Sequence, residues 1–285
     1  MEELSRPTRS LKGRVAIVTG AGAAPGGIGN GRAAAILLAE ADCSVVCVDL
    51  KQNLAQDTVD LIEKEGLGAA VAVQGDVTSA ADCERIANVA ITKYGRIDIL
   101  VNNVGILGPK GTAVEVDMES FMEGLRVNVA SMVQMAKHVI PRMVVNEGQW
   151  AGSIVNMSSV AGLRGGTPNI LYPTSKGAIV NMTRAMASNH AKDRIRVNCV
   201  CPGMVYTPMV YSGDSGMQER EREARRQRSL LKTEGNAWDV GAAVRFLAGD
   251  EARWITGIIL PVDAGATSST GIGADNLYIS QGPRV

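Results

Sequence analysis

The stretch Tyr-Pro-Thr-Ser-Lys at 172–176 contains a phenol and an amine separated by four positions. On a helix, residues i and i+4 share a face, so Tyr172 and Lys176 could meet. Pro173 is tolerated only in a first helical turn, which predicts that a helix begins near Tyr172. A free phenol, with a pKa of about 10, is a poor base at neutral pH. A neighbouring ammonium favours the phenolate and makes the phenol a usable acid and base. Such a pair arises by chance in roughly one chain in six, so a second signal is needed.

That signal is Thr-Gly-Ala-Gly-Ala-Ala-Pro-Gly-Gly-Ile-Gly-Asn-Gly at 19–31, between the apolar run 14–19 and an alanine-rich helical segment. Backbone amides and a helix dipole in that setting can hold a pyrophosphate. Gly20 suits the tight turn, and Gly27 and Gly29 allow close approach, with Ile28 between them presenting its amide. Asp49 ends the second apolar run, where a carboxylate can accept hydrogen bonds from ribose hydroxyls and would repel a 2′-phosphate. No Lys or Arg lies between Gly20 and Gly29. These features predict NAD rather than NADP, with Lys51 the one nearby basic residue that complicates the choice. The bland alternative is a glycine-rich surface turn, which the flanking strand, helix and Asp49 disfavour.

Seven β-branched runs alternate with helical segments: 14–19, 44–49, 69–76, 97–103, 152–159, 194–200 and 254–263. Long helical patterns cover 117–146 and about 172–191. Apolar strands alternating with helices predict an α/β, doubly wound Rossmann fold, a seven-stranded parallel sheet with helices on both faces. We expect a single domain over 1–285, with an N-terminal extension (1–11), a substrate lid (204–235) and a C-terminal tail (266–285).

Composition narrows the functional classes. Hydrophobic residues make up 46%, enough for a large core, and 29 basic residues balance 29 acidic ones. Zero net charge gives no pull toward nucleic acid or an anionic membrane. No apolar run is long enough to span a bilayer, and the polar N-terminus lacks a signal-peptide core, so the expected location is cytoplasmic. Five cysteines, an odd number, read as free thiols. Cys199 and Cys201 would share one strand face, with no further ligands at metal spacing, so no metal site is expected.

Taken together, the motifs resemble the short-chain dehydrogenase/reductase family from about Lys12 to Gly265. The matches fall in order: the glycine loop, Asp76-Val77, Asn-Asn-Val-Gly (102–105), Asn128, Ser159, Tyr172/Lys176, and Pro202-Gly203 followed by Thr207. Ser159 stands thirteen residues before Tyr172, which favours it over Ser158. The pattern is most similar to hydroxysteroid and 3-oxoacyl reductase-like members. The loop departs from the family by three extra residues, since six lie between Gly20 and Gly27. Longer loops occur in enoyl-reductase-like relatives, whose usual Tyr–Lys spacing differs from that of Tyr172 and Lys176.

The resemblance implies that Tyr172 is the general acid/base and that Lys176 lowers its pKa and binds the nicotinamide ribose, a positive oxidised nicotinamide helping to lower it. It implies that Ser159 bonds the substrate oxygen and Asn128 supports a water-linked proton relay. Asp76 and Val77 would contact adenine, Asn103 and Gly105 would line the cofactor cleft, and Val205 and Thr207 would hold the carboxamide. The implied activity is hydride transfer between NAD(H) and a small-molecule secondary alcohol or ketone, in a homotetramer or homodimer. A non-redox reaction in the same site and a cofactor-binding scaffold are the alternatives.

Three further features receive plainer readings. Gly-Asp-Ser-Gly at 213–216 looks like a serine-hydrolase fragment, but the only histidines, His138 and His190, fall in helical segments and Gly-x-Ser-x-Gly is absent. The charge run 218–228 reads as a solvated helix with a Glu221–Arg225 pair, rather than as a lid whose Arg225 or Arg228 meets an acidic substrate. Met204, Val205, Met209 and Val210 are the better pocket candidates.

Overall fold

Seven short, apolar segments form one parallel sheet: β1 Val15–Thr19, β2 Ser44–Asp49, β3 Ala70–Gln74, β4 Ile99–Asn102, β5 Gly152–Met157, β6 Ile195–Pro202 and β7 Ile259–Val262. The structure, a computed structural model, describes residues 6–211 and 217–269. The order across the sheet is β3-β2-β1-β4-β5-β6-β7, and every pairing is parallel. The chain therefore winds outward in both directions from the β1/β4 junction, where a crevice opens at the carboxyl ends of the strands.

Helices α1 Asn30–Glu40, α2 Gln52–Lys64, α3 Ala80–Tyr94, α4 Met118–Leu125, α5 Ser131–Met143, α6 Leu171–His190, α7 Pro208–Tyr211, α8 Glu219–Arg226 and α9 Ala237–Ala248 complete the described elements. Buried side chains of α1, α2 and α9 pack on one face of the sheet, and those of α3, α5 and α6 on the other. With both faces covered, the central strands β1, β4 and β5 are buried throughout. Local signals set the helix ends. Ser79 accepts a hydrogen bond from the Asp82 amide at the start of α3, and Gly95 stops that helix with φ of 82°.

Two expected elements differ in extent. The segment 117–146 is helical without a break from Met118 to Met143, but a π-turn at Arg126–Ala130 joins α4 to α5 and shifts the register between them. The last strand begins at Ile259 rather than 254, because Gly257 turns the chain with φ of 73°.

Segment 204–235 holds α7 and α8, while the Gly-Asp-Ser-Gly stretch and residues 270–285 lie outside the described residues. Helix α8 buries no residue, as the solvated reading expects. Its ion pairs differ, however. Glu221 caps the helix with Gln218, and Arg225 instead joins Arg222 on the buried Glu234 carboxylate, at 2.5 and 3.0 Å.

Candidate active site

Five strand ends converge on one crevice. Thr19, Asp49, Asn102, Met157 and Pro202 close β1, β2, β4, β5 and β6, and the loops that follow them wall a cavity of about 610 Å³. Gly20, Gly29, Asp49, Asp76, Val77, Asn103, Gly105, Ser159, Tyr172, Lys176, Pro202, Gly203, Val205 and Thr207 all line it. Gly27, Ile28 and Asn128 do not. Met209 and Val210 line it with Val205, whereas Met204 does not.

The start of the glycine loop is fastened by three hydrogen bonds. The Ala21 amide bonds the Val48 carbonyl at 2.9 Å, and the Gly22 amide bonds Asp49 Oδ2 at 3.1 Å. Asn103 Nδ2 donates to the Gly20 carbonyl at 3.0 Å, so Asn103 braces the loop as well as lining the crevice. Helix α1 starts directly behind: a methyl placed on Gly31 would lie 2.1 Å from the Gly20 oxygen. Gly27 is buried under α7, where a methyl would lie 2.5 Å from Pro208.

The proton-handling groups gather on α6 and the end of β5. Lys176 is buried and its Nζ donates to the Met157 carbonyl at 3.0 Å. Burial pushes Lys176 down to about 8. Its Nζ lies 5.6 Å from the centre of the Tyr172 ring. In the protein alone the Tyr172 pKa is set by burial and by Ser159. Burial raises it, and the Ser159 hydroxyl opposes that rise only in part.

The two adjacent serines do different work. Ser158 Oγ donates to the Lys176 carbonyl at 2.7 Å and ties the end of β5 to α6. Ser159 caps the 3-10 turn Val160–Gly162, and its hydroxyl is close enough to the Tyr172 phenol to hold that group's pKa down against burial. Asn128 occupies the π-turn, a feature frequent at functional sites. Its side chain pairs with both backbone groups of Ile106, at 2.8 and 2.9 Å, and donates to Ser175 Oγ at 3.0 Å. A methyl on Gly105 would lie 3.1 Å from Lys176 Nζ and 3.6 Å from Asn128 Oδ1, so the absent side chain leaves a passage between them.

Sequence reasoning missed Arg32, Gly31 and Thr58. Arg32 is buried against the glycine loop, and it is the only charged residue from Gly20 through Ala39, which is the signal that could have flagged it. All five cysteines are buried free thiols, with Cys199 and Cys201 sulfurs 3.9 Å apart. Among the described residues no cluster of metal-ligating side chains occurs, and no helix is long and apolar enough to cross a membrane.

Residues 22–267 match the family described as "Enoyl-(Acyl carrier protein) reductase". The meso-2,3-butanediol dehydrogenase of Serratia marcescens is 34% identical over 90% of this chain and 96% of its own. The 3-oxoacyl-[acyl-carrier-protein] reductase FabG of Thermotoga maritima is 34% identical over 90% of this chain and 98% of its own. A solved 7α-hydroxysteroid dehydrogenase, complexed with NADH and 7-oxo glycochenodeoxycholic acid, superposes with a TM-score of 0.80 at 34% identity, covering 90% of this chain and 95% of that one.

The chain belongs to the short-chain dehydrogenase/reductase family.

As a short-chain dehydrogenase/reductase it is an oxidoreductase that transfers a hydride between a nicotinamide cofactor and an alcohol or ketone. Its own residues fit a dinucleotide. The crevice is long enough to join the Asp49 carboxylate to Tyr172, and the glycine loop presents bare backbone along one wall. The Asn30 side-chain oxygen, also on that wall, is buried with no hydrogen-bond partner, as a site built to receive a polar ligand would leave it.

Proposed function

We propose that this enzyme uses NAD(H) and interconverts a secondary alcohol and its ketone, with Tyr172 as the general acid/base. The observation that carries the reading is the meeting of Ser159, Tyr172 and Lys176 at one end of the crevice whose other end holds Asp49. When bound, the nicotinamide supplies or accepts the hydride. Ser159 donates a hydrogen bond to the substrate oxygen and orients it beside the Tyr172 hydroxyl. Tyr172 gives its proton to that oxygen in reduction and takes it back in oxidation. Lys176 binds the nicotinamide ribose, and its charge together with that of an oxidised nicotinamide favours the phenolate. Asn128, set in the π-turn, supports proton passage past Gly105 to Lys176. Asp76 and Val77 meet the adenine, and Val205 and Thr207 the carboxamide.

NAD rather than NADP is supported by Asp49, whose carboxylate already holds the Gly22 and Lys51 amides and would face a 2′-phosphate with like charge. We read 12–265 as one catalytic unit, with 204–235 over the substrate. Arg222 and Arg225 are committed to Glu234, which favours an uncharged substrate side walled by Met209 and Val210. Five reduced, buried thiols favour a cytoplasmic location.

A homotetramer or homodimer is supported by apolar side chains left open on α4 and α5, including Met118, Met122 and Val133, and by Trp254 beside β7. Leu277, Tyr278 and Ile279, proposed to dock on a neighbouring subunit, lie outside the described residues. A monomer by light scattering at micromolar concentration would reject the assembly. Unchanged mass and kinetics after truncation at Gly265 would reject the docking.

The activity is tested by following reduced-nicotinamide absorbance with NAD+ and a panel of secondary alcohols. Substrate consumed without net cofactor turnover would indicate the non-redox alternative. Cofactor binding with no conversion of any substrate would indicate a scaffold.

A further inference from the structure

The lengthened glycine loop lacks regular structure, yet it is held from beneath by two buried side chains, Arg32 and Thr58. The Arg32 guanidinium is inserted between α1, α2 and the loop. Its Nη1 donates to the Gly27 carbonyl at 2.8 Å, and Nη2 to those of Ala23 and Leu54 at 3.3 Å each. Its Nε donates to Thr58 Oγ1 at 2.9 Å, and that hydroxyl donates to the Ala21 carbonyl at 2.8 Å. Three carbonyls of the loop, those of residues 21, 23 and 27, are thus drawn to one side by two side chains. The nearest carboxylate, Asp57, stands 3.8 Å away and half-exposed, so the buried charge is directed chiefly at backbone oxygens.

Peptide geometry makes this arrangement directional. In a trans peptide the N–H points opposite to the C=O of the preceding residue. Carbonyls of Ala23 and Gly27 that face Arg32 therefore turn the amides of Ala24 and Ile28 away from it. Neither amide has a hydrogen-bond partner among the described residues, and Ala24 lines the crevice. Two unpaired amides turned away from Arg32, that of Ala24 on the crevice wall and that of Ile28 next to Gly29 on the same wall, are free to donate to an anion.

We propose that Arg32 is a positioning residue for the dinucleotide's pyrophosphate: it pre-sets the lengthened loop so that the Ala24 and Ile28 amides face the phosphates. The loop then needs no ordering when the cofactor arrives, and affinity gains what ordering would have cost. The proposal rests on the reading that the dinucleotide lies in this crevice with its ribose at Asp49.

The test compares binding of three probes, NADH, ADP-ribose and adenosine, to the full chain and its variants, by fluorescence for NADH and by competition for the others. Arg32→Met is expected to weaken NADH and ADP-ribose by about tenfold or more, and to leave adenosine within twofold. Thr58→Val removes one anchor and is expected to give the same pattern with a smaller effect; it carries the test where Arg32→Met does not fold. Arg32→Lys, which keeps the charge but gathers its donors on one nitrogen, is expected to fall between. Equal weakening of all three probes would reduce Arg32 to a structural residue and overturn the proposal, as would unchanged NADH affinity in Arg32→Met, or in Thr58→Val where Arg32→Met does not fold. An Asp49→Ala variant separates the two levels. If it leaves NADH binding unchanged, the placement of the cofactor falls; if it weakens NADH while Arg32→Met does not, only the Arg32 proposal falls.

Discussion

The ammonium of Lys176 lies 5.6 Å from the centre of the Tyr172 ring and is fixed there by the Met157 carbonyl. The amine thus sits over the face of the ring, while Ser159 is the group that holds the phenol's pKa down against burial. Tyr172→Phe keeps the ring and removes the proton. We expect turnover to fall by about 10²–10⁴-fold with NADH affinity within a few fold of the parent. Steady-state rates beside fluorescence titration of NADH check both halves, and near-normal turnover would reject Tyr172.

The raised Tyr172 pKa sets the direction of the activity–pH profile. Oxidation needs the phenolate, so its kcat/KM should rise with pH through the alkaline range. Reduction needs the phenol and should hold steady at neutral pH, then decline. Opposite trends in rates measured both ways from pH 6 to 10 are the expected result; parallel profiles would contradict the role.

Lys176 also shapes stability, with a sign opposite to that of a lysine in an ion pair. Its folded pKa, about 8, lies below the ordinary 10.5. Between those values the unfolded chain holds a proton that the folded chain lacks, so stability gains as pH rises through pH 8–10.5. Below pH 8 the buried charge is a full penalty. Urea midpoints of the parent should therefore improve relative to Lys176→Met between pH 8 and 10. A constant difference would show that burial does not hold this amine's pKa down.

Asp49→Ala should relax cofactor choice. Removing the carboxylate ends the like-charge clash with a 2′-phosphate, a contact worth several kcal/mol. We expect the NADH-to-NADPH affinity ratio to drop at least about tenfold, read from paired titrations. A parent that binds NADPH as tightly as NADH would refute the assignment outright.

Gly31→Ala tests how closely α1 meets the loop. The added methyl would press 2.1 Å from the Gly20 oxygen, a backbone atom that cannot swing aside. Overpacking of this kind costs about 1–3 kcal/mol, measurable by urea unfolding, and should weaken NADH binding because Gly20 must shift. An unchanged midpoint would mean that the loop has slack.

Much of this architecture is legible in the chain because its strands are near-continuous runs of Val and Ile. The run 44–49 matches β2 residue for residue. Legibility fails where apolarity and structure part company. Trp254 and Ile255 look like the start of a strand, yet Trp254 is 88% exposed and β7 begins five residues later. The π-turn at Asn128 slips the helix by one residue, too small a change for hydrophobic periodicity to register. Arg225 has an acid at helical spacing in Glu221, but tertiary packing supplies the better-buried Glu234. The same holds for Arg32, whose partners are backbone oxygens that carry no sequence signature.

The sheet order β3-β2-β1-β4-β5-β6-β7 also sets a timetable for folding. Strands β1 to β3 pair among near neighbours in the chain, so the adenosine end, with Asp49, can form early. Joining β4 to β1 aligns Ile99 with Ala16 and closes a loop of some eighty residues, a slower event. Ser159 and Tyr172 wait on that closure and on the docking of α6. During refolding, protection of β2 amides from hydrogen exchange should therefore precede recovery of turnover, leaving an interval in which the chain holds half of its crevice and cannot yet move a proton.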